Sequence, residues 1–191
     1  MRKLIILGTI ILPIFLASCG SEQENNNLTA ELDEFKVLNT TVEETEGDFI
    51  YRIVTEKEEY RKNETVNIYS ELEYIGDKEE VTIFHAASPF NFPMFEKTRG
   101  FEIGYPMEEP LIRTTLKKGQ PIREEYRRSG GYGSQDESDY VDFMKSFIKD
   151  GFLPGYYVVN GYVDFYVENN DNSRKDYMIK GKIDFKVIEN K

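Results

Sequence analysis

The stretch DGFLPGYYVVNGYVDF (residues 150–165) contains the features that predict the fold most directly. From Tyr156 onward it is rich in Tyr, Val and Phe, residue types that favour β-strands. Gly151, near its start, ends a preceding segment that has the apolar spacing of a helix. The stretch therefore predicts a helix followed by a late strand.

Toward the N-terminus, apolar residues recur with a period of two, which is typical of half-buried strands. In ETVNIYSELEYIG (residues 64–76) the alternate residues from Val66 to Tyr74 share one face. A turn at residues 76–78 precedes a second alternating run, EEVTIFHAA (residues 79–87). We expect residues 64–87 to form a β-hairpin.

The later segments continue the pattern. TTLKKGQPIREEY (residues 114–126) predicts a strand pair broken at Lys118 and Gly119, and DYMIKGKIDFKVI (residues 176–188) predicts another strand. The polar run ENNDNSRKD (residues 168–176) predicts a hairpin loop before it. SDYVDFMKSFIKDG (residues 138–151) has helical apolar spacing. The sequence thus predicts a mainly-β, antiparallel sandwich of seven or eight strands with one inserted short helix.

A finer pattern precedes the strand at Tyr156. The spacing Leu153-x-Gly155-x-Tyr157 resembles the tyrosine corner of immunoglobulin-like sandwiches, in which a phenol bonds to upstream backbone. Together with Tyr74-x-Gly76, SPFNF, LKKGQ and LPGYY in this order, residues 60–168 resemble the Ig-like domains of bacterial extracytoplasmic proteins. These include the type named after a Bacillus intracellular proteinase inhibitor. The resemblance implies an Ig-like β-sandwich and protease inhibition as one alternative function, although no inhibitory residue can be assigned.

The N-terminus has the three parts of a secretory signal peptide: basic Met1–Lys3, apolar Leu4–Leu16, and two small residues. The apolar part has 13 residues, fewer than the ~20 that a membrane-spanning helix needs. Residues 16–19, Leu-Ala-Ser-Cys, resemble the bacterial lipobox. That resemblance implies cleavage before Cys19 and a diacylglycerol attached to its thiol. A plain signal peptide, with Cys19 incidental or a reactive thiol, is the alternative reading.

These features divide the chain into a lipoprotein signal peptide (1–18), a polar flexible tether (19–30) and an Ig-like sandwich domain (31–191). The lipobox resemblance implies that the lipid on Cys19 holds the protein at the extracytoplasmic face of a bacterial cell membrane. Two acyl chains are enough for stable anchoring.

Charge excludes one class of partner. The chain has 24 Lys and Arg against 35 Asp and Glu, a net charge of -11. The only charged residues among residues 1–18 are Arg2 and Lys3, so removing this segment would make the net charge more negative. Such a chain is repelled by phosphate backbones. We therefore expect no nucleic-acid partner.

Few residues can carry out catalysis or bind metals. His85 is the only histidine, no serine lies in a G-x-S-x-G motif, and Cys19 is assigned to the lipid. Asp136–Asp139 and Asn169–Ser173 offer oxygen ligands for calcium, yet turn and capping roles explain them equally well. We expect no metal, no cofactor and no enzymatic activity; a carboxylate-based extracellular hydrolase is the alternative.

Two segments are candidate partner contacts. Aromatic residues crowd residues 84–105, where Phe92 and Phe95 form either core or an exposed patch. Tyr132 lies among three glycines in a loop. The sequence therefore predicts a non-enzymatic module that binds an envelope protein, a peptide or a glycan. A purely structural envelope component is a further alternative.

Overall fold

The computed structural model describes residues 31–169, 171 and 173–190. Residues 31–34 are helical and are called α1, and Ser138–Asp150 form the helix α2. The strands, in chain order, are β1 (Thr41–Glu46), β2 (Phe49–Thr55), β3 (Glu59–Arg61), β4 (Ile68–Tyr74), β5 (Glu80–His85), β6 (Phe90–Asn91), β7 (Met94–Glu96), β8 (Phe101–Ile103), β9 (Ile112–Lys117), β10 (Ile122–Glu125), β11 (Gly155–Glu168) and β12 (Arg174–Ile188).

The strands form two sheets. Sheet A has the order β1-β2-β4-β10, and sheet B has the order β3-β12-β11-β5-β9. The short strands β6 and β7 also pair with β11, and β8 pairs with β7. The mainly-β sandwich predicted from the sequence is confirmed. Sheet B is mixed rather than purely antiparallel, because β3 runs parallel to β12.

The core lies between the two sheets. The ring of Phe49 in sheet A contacts the rings of Phe165 and Tyr177 in sheet B, at centroid distances of 4.8 and 4.9 Å. Gly161 and Gly181 pair directly in sheet B. A Cβ at Gly161 would lie 2.3 Å from the Cδ1 of Ile53, so the absence of a side chain there lets sheet A pack closely onto sheet B.

The tyrosine corner is present. Tyr157 is fully buried and its hydroxyl donates a hydrogen bond to the carbonyl oxygen of Leu153. Its ring stacks on Phe185 of β12 at a centroid distance of 5.3 Å. Tyr157 is therefore a fold residue that fixes where the chain enters β11.

The hairpin predicted for residues 64–87 is wrong. β4 pairs with β2 and β10 in sheet A, whereas β5 pairs with β9 and β11 in sheet B, so the connection between them crosses from one sheet to the other. The ring of Tyr74 folds over Gly76, where a Cβ would lie 2.4 Å from the phenol oxygen. Alternation identifies both strands correctly, but it does not say which sheet each strand joins.

The strand pair predicted within residues 114–126 also divides between the sheets, because β9 lies in sheet B and β10 in sheet A. By contrast, β11 and β12 form the predicted hairpin, with Glu168 opposite Arg174 at its end. The predicted helix is confirmed as α2, which buries Phe143, Met144 and Phe147.

A segment before β1 packs on the outer face of sheet B. The ring of Phe35 stacks on Tyr156 at 4.7 Å, and the backbone N–H groups of Leu38 and Asn39 donate to the carboxylate of Asp184, each at 2.8 Å. The predicted signal peptide (1–18) and tether (19–30) lie outside the described residues.

Candidate functional site

Phe92, one of the predicted partner contacts, belongs to the core. Its side chain is 1% exposed, and its ring meets the edges of Tyr105 and Tyr126 at centroid distances of 5.4 and 5.8 Å. The ring is buried because the backbone around it joins sheet B, with β6 paired to β11. Phe92 is therefore not available to a partner in this structure. The sequence left two alternatives for the aromatic segment, core or an exposed patch, and Phe92 is part of the core.

Phe95 and Tyr132 remain accessible to different degrees. Phe95 is half-buried and lies opposite Val158, on the outer face of sheet B. Tyr132 is 46% exposed in the loop before α2. The hydroxyl of Tyr140 lies 3.3 Å from the carbonyl oxygen of Gly131 in this loop and 3.0 Å from that of Glu102, to which it donates. The structure thus places the three predicted contact residues in the core, on a sheet face and in a loop.

The predicted lipid-attachment residue, Cys19, lies outside the described residues. Within residues 31–169, 171 and 173–190, no helix has the length and apolar character needed to cross a bilayer. The structure therefore leaves the anchor as a prediction from the sequence.

A groove that the sequence did not predict opens on the outer face of sheet B beside β11. This β11 groove has a volume of about 520 Å³, and Tyr162, Asp164 and Tyr166 line it. These are alternate residues of one strand, so they point away from the core when their neighbours point into it. The facing wall is the loop of residues 105–111, fastened where the N–H of Ala87 donates to the carbonyl of Glu108 at 3.1 Å.

A stack of planar groups closes one end of the groove. The rings of Phe84 and Tyr166 lie face to face across β5 and β11, with a centroid distance of 4.8 Å. The guanidinium of Arg174 lies 4.0 Å from the Tyr166 centroid, and that of Arg113 lies 5.3 Å from the Phe84 centroid. Arg174 also pairs with Asp176. The stack makes a rigid wall and shows that aromatic rings here accept a cationic group.

The middle of the groove is polar. Asn91 of β6 lies directly opposite Tyr162, so both side chains are on the outer face. In the part of the chain that the structure describes, the side chains of Asn91, Tyr162 and Asp164 form no hydrogen bond or ion pair with one another or with other residues. Burial raises the pKa of Tyr162, and the charge of Asp164 raises it further. These groups are free to bind a ligand.

A second space, which we call the Arg127 compartment, adjoins the groove. It has a volume of about 440 Å³ and shares Ser88, Tyr105 and Met107 with the β11 groove. Arg127 is exposed and, among the described residues, has no carboxylate within ion-pair distance. Glu124, which also lines this compartment, accepts a hydrogen bond from the Ser88 hydroxyl at 2.8 Å.

His85 lines the β11 groove, but its ring nitrogens are both engaged. Nδ1 lies 2.8 Å from the carbonyl oxygen of Ala86, and Nε2 lies 2.7 Å from the hydroxyl of Thr114. Burial lowers the pKa of His85 below its ordinary value. The nearby Ser88 hydroxyl donates to Glu124 rather than to His85, so the two residues do not form a nucleophile and base.

The two segments considered for calcium make turns. The carboxylate of Asp136 accepts the N–H of Gly133 at 2.6 Å, and that of Asp171 accepts the N–H of Ser173 at 2.9 Å. Over the described residues, no three His, Cys, Asp or Glu side chains are grouped so as to hold a metal ion. These carboxylates have local structural roles.

No protein-family model matches the chain, and no curated protein sequence matches it. Three alternate residues of β11 line the groove. Their outward direction can be read from the sequence, because Tyr162, Asp164 and Tyr166 alternate with apolar Val163 and Phe165. The wall opposite them depends on the packing of the loop 105–111, for which the sequence carries no local signal.

Proposed function

We propose that the protein is an extracytoplasmic lipoprotein, anchored through Cys19, whose β-sandwich is a non-enzymatic binding module. The ligand, an envelope protein, a peptide or a glycan, binds in the β11 groove and the adjoining Arg127 compartment. The observation that carries the proposal is the set of unengaged polar side chains, Asn91, Tyr162 and Asp164, on the rigid face of sheet B. A groove of this size with a few convergent polar groups is typical of a binding site.

The rigidity of the scaffold supports binding over catalysis. The groove-lining strand β11 is hydrogen-bonded to β12 along its whole length, from Gly155 to Glu168. The preformed wall of Phe84 and Tyr166 needs no rearrangement to meet a ligand, which lowers the entropic cost of binding. Both ring nitrogens of His85 already have partners in the protein, the Ala86 carbonyl and the Thr114 hydroxyl.

The binding proposal is tested by capturing partners of the full chain from detergent-solubilised membranes after chemical cross-linking. Tyr162→Ala and Asp164→Asn should each reduce recovery of the same cross-linked species. Phe95→Ala tests whether a partner contacts the outer face of sheet B at this residue, and Tyr132→Ala tests whether it contacts the loop before α2. If recovery survives the two groove variants and fails with Tyr132→Ala, the ligand binds at the loop and the groove proposal is wrong.

The anchor has its own test. Cys19→Ser should shift the protein from the membrane fraction to the soluble fraction or leave the uncleaved precursor, whereas Ser21→Ala should leave it in the membrane fraction. Mass spectrometry of the native N-terminus should find acyl chains on Cys19. An unmodified mature N-terminus at another residue would contradict the proposal.

A further inference from the structure

We infer that the β11 groove takes an extended polypeptide segment, with a cationic side chain held at Asp164 and an anionic group held at Arg127. This inference rests on the proposed binding function and names the ligand class for the same site. Its starting observation concerns the charged residues that line the two spaces and form no ion pair: the carboxylates of Asp164 and Glu109 line the β11 groove, and the guanidinium of Arg127 lines the other compartment. The guanidinium of Arg113 lies over Phe84 at the end of the β11 groove, outside this lining.

The β11 groove is suited to a cation. Asp164 and Glu109 both line it, and neither is in a salt bridge with another described residue. Asp164 lies between two outward-facing tyrosines of the same strand, Tyr162 and Tyr166. Carboxylates and aromatic faces together are the groups that bind ammonium and guanidinium ions. Arg174 already demonstrates this mode, since its guanidinium lies over Tyr166 and pairs with Asp176.

The Arg127 compartment is suited to an anion. Two guanidinium groups, of Arg127 and Arg128, and one carboxylate, of Glu124, line it, so its positive charges outnumber its negative one. Glu124 accepts a hydrogen bond from the Ser88 hydroxyl, and Arg128 donates to the carbonyl of Ile148 at 3.0 Å. Arg127 is left with its guanidinium exposed and without an ion-pair partner in the described part of the chain. A carboxylate suits an unpaired guanidinium because it accepts two parallel hydrogen bonds.

The shape of the site indicates a chain-like ligand. The two compartments share Ser88, Tyr105 and Met107, so a ligand that fills both passes over these residues. A polypeptide places side chains of opposite charge at intervals along an extended backbone. A neutral glycan has no groups that match separated charges, and we therefore favour the peptide.

The test uses end-capped peptides of glycine and serine, labelled with an uncharged fluorophore, that carry one arginine and one glutamate, arginine alone, glutamate alone, or neither. Fluorescence anisotropy measures their binding to the purified full-length lipoprotein in detergent. The peptide with both charges should bind best, and the neutral peptide worst. Asp164→Asn should weaken binding of both arginine peptides by roughly fivefold. A loss of this size corresponds to one exposed ion pair together with a contribution from the neighbouring aromatic rings.

Matched controls separate a local effect from the net charge of the chain. Asp77→Asn removes the same charge at an exposed position in neither compartment and should leave the arginine peptides unaffected. Arg127→Gln should weaken only the glutamate-containing peptides, with Arg61→Gln as its control. Equal effects of Asp164→Asn and Asp77→Asn would overturn the inference, because attraction would then reflect overall charge.

The failures of the two proposals are distinguishable. If all four peptides bind equally, or a neutral glycan competes while charge has no effect, the ligand class is wrong but the groove remains the binding site. If no peptide binds, the ligand class is also wrong, and the cross-linking result with Tyr162→Ala decides whether the groove binds a partner at all.

Discussion

The hydroxyl of Tyr157 lies 2.7 Å from the carbonyl oxygen of Leu153 and donates a hydrogen bond to it. The bond spans the turn between α2 and β11, so it links the end of the inserted helix segment to the strand that carries the groove. Burial raises the pKa of the Tyr157 phenol far above its ordinary value. The hydroxyl therefore stays protonated and acts only as a donor to Leu153.

Tyr157→Phe tests the corner because it keeps the ring and removes only the hydroxyl. The Leu153 carbonyl then loses its partner beside a buried ring, and the free energy of unfolding should fall by about 1–3 kcal/mol. Tyr132→Phe removes the same atom from a side chain that is 46% exposed and should change little. Denaturant midpoints of the two variants check the prediction, and equal midpoints would contradict it.

Phe92 and Phe95 provide a second pair for comparison, since they are three residues apart in the same segment. Phe92→Ala should lower the free energy of unfolding by about 3–5 kcal/mol, because it leaves a cavity in the core. Phe95 is half-buried on the outer face, and Phe95→Ala should cost clearly less. Urea unfolding curves measure both, and a Phe95→Ala cost as large as that of Phe92→Ala would place Phe95 in the core.

Local sequence patterns predict which segments form strands and which form the helix. They do not predict which sheet each strand joins. Alternation identifies β4 and β5, and helical spacing identifies α2. In the connection after β4 the ring of Tyr74 packs over Gly76, which is a contact that periodicity does not encode. The same limit explains why Lys118 and Gly119 look like the turn of a strand pair but join the two sheets.

The site could be predicted less well, because it is made of residues distant in the sequence. Asn91 and Tyr162 are brought together only by the pairing of β6 with β11. The aromatic composition of residues 84–105 singles out a segment that lines part of the β11 groove, but it does not separate buried rings from exposed ones. Aromatic residues are common in cores and in binding surfaces alike.

His85 gives a prediction for pH dependence. Burial lowers its pKa in the folded protein, and the Ala86 carbonyl and the charge of Glu124 offset only part of this effect. At a pH between the folded pKa and the ordinary value of about 6.5, the unfolded chain binds more protons than the folded chain. The stabilisation is thus complete above about pH 6.5 and is lost as the pH falls through the folded pKa.

Because His85 is the only histidine, His85→Gln isolates its contribution. The free energy of unfolding of the wild-type protein, measured from about pH 8 down to about pH 5, should begin to fall near pH 6.5, and this early fall should be absent in the variant. If the variant shows the same dependence, groups other than His85 are responsible.

The last prediction concerns Asp184, which fastens the segment before β1 to sheet B. Its carboxylate is 4% exposed and accepts hydrogen bonds from the N–H groups of Leu38 and Asn39 and from the hydroxyl of Tyr156. Asp184→Asn places an amide N–H₂ where an acceptor is needed, so at least one of these three donors loses its partner. Bonds to a charged group contribute about 1.5–3 kcal/mol each, and we expect a loss of that size in the free energy of unfolding.

Amide hydrogen exchange at Leu38 and Asn39 should accelerate more than exchange in the hairpin of β11 and β12, because the segment opens before the sheet does. Asp164→Asn, an exposed change on the same sheet face, should alter neither measurement. Unchanged exchange at Leu38 and Asn39 in Asp184→Asn would mean that Phe35 and its stacking on Tyr156 hold the segment without the carboxylate.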